Sequence, residues 1–398
     1  MADGSSNLQK YGVPFYGASW VPYDHIRSKF SSQDKEEDDR TPSKDDNSSP
    51  PQGTTDPNNY VVFAGGGGEG RSGIPNAIVV SRFDFASNSL SEQPVLTHKT
   101  GSNLPYRMTL HPRGDGIICG MQNCCRLFKW EECNKLEVHK LGVKESEKVL
   151  MHLEDVGQQL ALAFNCEGSV LAVGGEDGNL RVFKWPSMDI ILRKDQAHSS
   201  IKDLSFSFDG KFLVSLGSGL CRVWDVTSSK VEVVTSLAKQ NDEVFAFCRF
   251  SQINQNQVLY IAAVTDKGGS ILTWNTTSWK RTSSKRVVRE AISAFNVSND
   301  GRFLAVGTVQ GDILIINSNS MRVQTTIRKA HLGLVTTVTF SHNSRALVSA
   351  SLDSSARVTV IKDEKKSGGM NLLFVIFIIL VAIAAYFMKE KGILLLDK

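Results

Sequence analysis

At 398 residues, 41% hydrophobic and 22% charged, the chain can bury a large core in one or two domains, which excludes a wholly disordered polypeptide. Its formal net charge of +4 is small for this length and spread along the chain, so nothing in it argues for nucleic acid as a partner. The seven cysteines (Cys119, Cys124, Cys125, Cys133, Cys166, Cys221 and Cys248) show neither CxxC pairs nor histidines in metal-ligand register, and read as reduced thiols.

Residues 1–9 form a polar N-terminal tail without the basic and apolar regions of a secretory signal, so the body is expected in the cytosol. The first strand is FYGASWV, residues 15–21, followed by an insert over 27–58. Within it, residues 31–59 carry eight acidic side chains against three basic ones, are rich in Ser, Pro and Asn, and have almost no aliphatics. Such a segment cannot bury enough surface to order itself, and the insert is expected to be a disordered acidic loop. Strands YVVFA (60–64) and AIVVSRFDF (77–85) follow, joined by the glycine-rich loop 65–76.

Beyond residue 100 a unit recurs: apolar strand, Asp/Asn-Gly turn, apolar strand, second turn, apolar strand ending in an aromatic. It appears as LAFNCEGSVLAVGGEDGNLRVFKW (162–185), LSFSFDGKFLVSLGSGLCRVWD (204–225), AFNVSNDGRFLAVGTVQGDILIIN (294–317) and VTFSHNSRALVSASLDSSARVTVI (338–361). The turn positions Gly168, Gly210, Gly301 and Ser344 are spaced by 42, 91 and 43, the middle interval spanning the degenerate unit 248–275. An earlier unit ends at Trp130. A period of about 40–45 residues with several short strands is the signature of an all-β, WD-repeat β-propeller, which Trp224-Asp225 resembles and Trp130, Trp185 and Trp274-Asn275 resemble more weakly. At about 46 residues per unit the stretch 10–362 makes seven blades. Six follow residue 100, so the first is assembled from residues 10–90, with an N-terminal strand expected to close the ring against the last blade.

Two features of the propeller read as structural. His198 and His331, each after an alanine, sit where such repeats place a buried histidine, and Asp353, 22 residues after His331, is its expected hydrogen-bond partner. The basic stretch WKRTSSKRVVR (279–289) reads as a solvated blade edge, with contact to anionic lipid headgroups as the alternative. Asn47, Asn275 and Asn296 begin N-x-[ST] sequons that stay unmodified if the body is cytosolic.

After a linker at 363–371, residues 372–388 (LLFVIFIILVAIAAYFM) carry no charge and are flanked by lysines. As a helix this run covers roughly 26 Å at about 1.5 Å per residue, the short end of what spans a bilayer, and suits a thin membrane such as the endoplasmic reticulum. One C-terminal transmembrane helix with a short tail, 389–398, on the far side is expected.

The glycine loop does not read as a phosphate cradle. A P-loop needs GxxxxGK[ST] leading into a helix, whereas Gly65, Gly66, Gly67, Gly68, Gly70 and Gly73 have no such lysine and lead into a β-branched strand. So many glycines let successive carbonyls converge on a cation, or let bare backbone enter a partner's groove. Ile74, Pro75 and Asn76 then present an apolar knob, a fixed φ and a side chain that donates and accepts, all expected to project outward.

GGGGEGRSGIPN (65–76), with YGVPFYGASW (11–20) ahead of it, resembles the N-terminal blade of the Sec-twelve type guanine nucleotide exchange factors of the COPII pathway. The animal prolactin regulatory element-binding protein and the plant Sec-twelve-like and phosphate transporter traffic facilitator proteins form this group. The resemblance implies a cytosolic seven-bladed propeller anchored by one C-terminal span in the endoplasmic reticulum membrane, with a lumenal tail. Its implied partner is the Sar-type small GTPase, loaded with GTP to start COPII vesicle formation and transport to the Golgi. By the same resemblance Gly65, Gly66, Gly67, Gly68, Glu69 and Gly70 shape a potassium-binding loop, mainly through backbone carbonyls. Gly73 and Pro105 contact the GTPase, and Ile74, Pro75 and Asn76 drive exchange, Asn76 most directly. The long acidic insert and the short lumenal tail have no counterpart in the group's pattern. Exchange needs no covalent chemistry, and no Ser/His/Asp or Cys/His set suggests an enzyme. A second reading stays open: an exchange-inactive relative that helps plasma-membrane transporters such as phosphate transporters, as cargo, leave the endoplasmic reticulum.

Overall fold

The computed structural model describes residues 7–38, 59–70, 72–132, 141–148, 150–217, 219–228, 231–240, 242–253, 256–362, 377, 379–384 and 386–387. Its strands form seven antiparallel sheets, six of four strands and one whose outer strand is split in two. This is the expected seven-bladed β-propeller. The innermost strands, Phe15–Trp20, Arg107–Leu110, Gln159–Phe164, Asp203–Phe206, Val244–Ile253, Ile292–Val297 and Val335–Phe340, pack side by side in a closed ring. Each sheet buries both faces against its neighbours, so its middle strands are near-continuous apolar runs such as Val61, Val62, Phe63 and Ala64, all 0% exposed.

The ring closes through the N-terminus. Strand Leu8–Lys10 pairs antiparallel with Ser355–Val360 and becomes the outer strand of blade seven. It begins at Leu8, inside the stretch read as tail. The inner strands of blades seven and one are also stitched directly: Thr336 Oγ1 donates to the Phe15 carbonyl at 2.8 Å and Trp20 Nε1 donates to the Thr339 carbonyl at 3.1 Å.

Because strands alternate in direction, loops joining second to third strands and loops joining successive blades share one face of the disc. Turns joining first to second and third to fourth strands share the other. The glycine loop, between Asn59–Gly65 and Ala77–Asp84, lies on the first face. The insert, between Phe15–Trp20 and Asn59–Gly65, leaves from the second.

The insert corrects the expectation of disorder over 27–58 in part. Residues 27–38 belong to helix Tyr23–Asp38, while 39–58 lie outside the described residues. The physical reason is in YDHIRSKF: Tyr23, Ile26 and Phe30 sit at helical spacing and pack on blades one and two. Ile26 is 1% exposed, and a Cβ on Gly114 would stand 2.6 Å from its Cγ1. Tyr23 packs edge-on against Tyr60, and Lys29 pairs with Asp115. The acidic run merely continues a helix nucleated by these contacts.

The structure divides into a compact unit, Met1–Val360, and a second, Ile361–Lys398. The linker 363–371, most of the apolar run 372–388 and the tail 389–398 lie outside the described residues; Phe377, residues 379–384 and residues 386–387 are helical. Among the described residues no helix is long and apolar enough to cross a membrane. The six described cysteines are free, and Cys119, Cys125, Cys221 and Cys248 are buried. The basic stretch falls on the outer strand Arg281–Val288, where Arg281 clasps Glu243 with two bonds of 2.7 and 3.0 Å.

Both repeat histidines are structural. His198 Nε2 and Trp224 Nε1 meet on the Ser215 hydroxyl at 2.8 and 2.9 Å. His331 is bonded to the hydroxyls of Ser349 and Ser355, not to Asp353, whose carboxylate lies 4.0 Å away and acts by accepting a bond from Ser355. Burial pushes both imidazoles down from 6.5 to about 4, with Arg222 adding to the effect at His198 and Asp353 opposing it at His331. Below pH 6.5 the unfolded chain therefore takes up protons that the native rings refuse, so stability falls until about pH 4, where the folded rings also protonate. Asp353, held down to about 2, stays charged throughout that window. Thermal unfolding is expected to show the melting temperature dropping by several degrees between pH 6.5 and 4.5, and a flat profile would contradict the neutral buried rings.

Candidate functional site

The glycine loop is a framed structure whose glycines have distinct reasons to be there. A Cβ on Gly65 would fall 1.9 Å from the Pro14 carbonyl oxygen, and one on Gly66 would fall 2.2 Å from Asn76 Oδ1. On Gly67 it would meet the Ser72 hydroxyl at 2.4 Å. Gly68 and Gly73 have φ of 78° and 71°, a conformation that disfavours side chains. Gly70 alone has neither constraint: its Cβ position meets nothing within 4 Å and its φ is ordinary.

Asn76 holds the frame together. It is 3% exposed, a correction to the expectation that it projects outward beside Ile74 and Pro75. Its Oδ1 accepts from the Gly68 amide at 2.9 Å, and its Nδ2 donates to the carbonyls of Gly68 and Gly101 at 3.3 and 3.1 Å. The side-chain amide thus bridges the loop's two arms and ties them to the turn that enters blade two. The physical reason is that a loop poor in side chains has no core of its own, so a buried amide satisfies backbone groups that would otherwise stay unpaired. The Gly66 amide donates to the Pro14 carbonyl at 3.0 Å, and the Ser72 hydroxyl accepts from the Ile74 amide at 3.3 Å.

Ile74 and Pro75 are exposed at the loop's tip, Ile74 by 37%, together with Glu69, Gly70 and Gly73. Gly65 and Gly66 are buried, and Gly67 and Gly68 half-buried. Pro105 was expected on the contact surface; its ring is buried, and the exposed part of that turn is Gly101, Ser102 and Asn103. The turn 100–106 nonetheless packs on the glycine loop, with Leu104 4.0 Å from the Cβ position of Gly68. Pro14, Ser72 and Gly101 were not singled out in the sequence: their contributions run mostly through backbone oxygens, which no residue type advertises.

Asn76→Ala would leave the Gly68 amide and the carbonyls of Gly68 and Gly101 unpaired, at about 1–3 kcal/mol. Thermal unfolding is expected to show the melting temperature falling by a few degrees for Asn76→Ala and for Gly66→Ala, and no change for Gly70→Ala. Equal effects at Gly66 and Gly70 would contradict the framed loop.

Residues 148–184, 191–225 and 322–359 match the WD domain, G-beta repeat family model. Blades two and five fall outside these matches, and there the indole N–H groups of Trp130 and Trp274 lack the partner that Ser215 gives Trp224. Among solved structures, Raptor from Chaetomium thermophilum superposes with a TM-score of 0.62 at 12% identity. That match covers 90% of this chain and 28% of that one, a likeness of fold alone. The chain is 57% identical over 366 residues to SEC12-like protein 2 of Arabidopsis thaliana, covering 92% of this chain and 90% of that protein. It is 31% identical to SEC12-like protein 1 of the same plant, covering 80% of each. With the guanine nucleotide-exchange factor SEC12 of Rattus norvegicus it shares 26% identity over 69% of this chain and 76% of that protein. The chain, a seven-bladed propeller with WD repeats and related along most of its length to these proteins, belongs to the SEC12 family.

Proposed function

We propose that this chain is a guanine nucleotide exchange factor for a Sar-type small GTPase. In this reading residues 372–388 hold it in the endoplasmic reticulum membrane, with the propeller in the cytosol and residues 389–398 in the lumen. It would there start COPII vesicle formation and transport to the Golgi. The observation that carries the reading is the clamped loop: buried Asn76 ties Gly68 to Gly101 from within, and Ile74 and Pro75 stand exposed directly before it. The relatives of rat and mouse named guanine nucleotide-exchange factor SEC12 support it.

The mechanism asks only for differential binding. A loop that fits the nucleotide-free GTPase better than its GDP form lowers the affinity for GDP by the same coupling energy. A pre-fixed loop loses little conformational entropy on docking, so more of its contact energy remains for that discrimination. No covalent step occurs, and Asn76 acts by positioning Ile74 and Pro75.

Potassium is the implied ion. The loop's oxygen donors are backbone carbonyls, the Asn76 amide, the Ser72 hydroxyl and the single carboxylate of Glu69, and no group of three or more His, Cys, Asp and Glu gathers among the described residues. That set suits a hard monovalent cation and not a transition metal. Gly65, Gly66, Gly67, Gly68, Glu69 and Gly70 would hold it, and it would supply a compact positive charge within the loop.

The test uses the full-length chain reconstituted in liposomes with a Sar-type GTPase carrying fluorescent GDP. Release is expected to accelerate in potassium buffer and to slow in sodium. Ile74→Ser should lower the rate about tenfold or more at unchanged melting temperature, since it removes an exposed apolar contact. No acceleration in either buffer would remove the exchange reading and leave the escort of transporter cargo from the endoplasmic reticulum as the alternative.

A further inference from the structure

Among the described residues of the propeller, the exposed large apolar side chains are unevenly spread. Ile190, Val233, Val234 and Val323 lie on outer strands. Phe208 lies on the face from which the insert leaves. The other six, Ile74, Met151, Val244, Val309, Leu332 and Leu352, stand on the glycine-loop face. Leu332 is the extreme case, 80% exposed.

Leu332 lies in the loop joining blade six to blade seven and Leu352 in the loop between the second and third strands of blade seven, and hydrogen bonds connect both to the glycine loop. The Leu332 amide donates to Asp353 Oδ2 at 2.7 Å, and the Leu352 amide to the Leu334 carbonyl at 3.4 Å. The Tyr11 amide donates to the Ser354 carbonyl at 3.3 Å, and three residues on, Pro14 accepts from Gly66. A chain of hydrogen bonds thus links the loops of Leu332 and Leu352, through residues 11–14, to Gly66 at the base of the glycine loop. Nothing in folding rewards an aliphatic side chain held in water on so fixed a loop, whereas docking does.

The loop tip alone is too small for a specific complex, since stable interfaces bury on the order of 800 Å² per partner. On the blade-two side its exposed neighbours are Gly101, Ser102 and Asn103, with no large apolar group. On the blade-seven side, beyond residues 11–14, stand the exposed Leu332 and Leu352. We propose that the surface engaging the small GTPase runs from the glycine loop across residues 11–14 to blade seven, where Leu332 and Leu352 form a second, apolar anchor. The identity of the partner rests on the exchange reading; the extent of the surface rests on the geometry. In this arrangement the tip acts on the nucleotide site and the blade-seven anchor supplies affinity to all nucleotide states alike, so its loss raises KM and spares kcat.

The experiment compares full-length wild type with L332S/L352S, using Phe208→Ser on the opposite face as the control. Binding of nucleotide-free Sar-type GTPase is read by biolayer interferometry and exchange by fluorescent-GDP release over a range of GTPase concentrations. The double variant is expected to bind about tenfold more weakly or worse, with KM raised by a similar factor and kcat within about twofold. Phe208→Ser should match wild type in both. Unchanged affinity in a double variant that still exchanges would overturn the blade-seven anchor and leave the exchange reading standing. Wild type that neither binds nor exchanges would overturn both. Light scattering adds the remaining case: loss of self-association with GTPase affinity intact would assign the surface to a second copy of the chain and overturn the proposal.

Discussion

The short pairing of Leu8–Lys10 with Ser355–Val360 is the constraint on which the rest of the molecule depends. Seven twisted sheets around an axis leave one seam, and an unclosed seam would expose a strand edge and two apolar sheet faces to water. Chain ends far apart in sequence close it, in the register Leu8 to Arg357, Gln9 to Ala356 and Lys10 to Ser355. Residues 11–14 are consequently drawn tight between blade seven and blade one. The Pro14 carbonyl that receives the Gly66 amide is therefore positioned by ring closure, and so is the first arm of the glycine loop.

This dependence explains how a segment so rich in glycine holds one shape. Glycine widens the unfolded ensemble, and a loop of them would ordinarily lose more entropy on ordering than it regains. Here Gly65, Gly66 and Gly67 are places where neighbouring atoms leave no room for a side chain, and Gly68 and Gly73 are places where the backbone turns left-handed. Asn76 supplies the missing core by satisfying both arms at once. Only Gly70 is left without a steric or conformational requirement.

The two faces of the disc carry different chemistry. One holds the helix Tyr23–Asp38 and the end of the last strand at Val360; the other holds the glycine loop and six exposed aliphatic or thioether side chains. The proposed exchange function uses the second face alone, which leaves the first free for the acidic helix and for the exit of the chain.

Much of this was legible in the primary sequence because it is periodic. A repeat near 42 residues, with Asp/Asn-Gly turns and apolar strands, has few folds open to it, and it carries with it the blade count, the N-terminal closure and the loop's address. The site was legible as a set of residues and not as an arrangement. Asn76 looked like a probe because its side chain can donate and accept, and the same property makes it a clamp once Gly68 and Gly101 stand on either side. Pro105, which the family resemblance implied as a GTPase contact, is buried. The helix at Tyr23–Asp38 was hidden by the acidic run that extends it, since the three residues that anchor it bury themselves only against strands from two blades. Local pattern determines which strands form and where the chain must turn. Which polar group faces inward, and which aliphatic is left in water at Leu332, depends on contacts between residues hundreds of positions apart, and those exist only once the ring has closed.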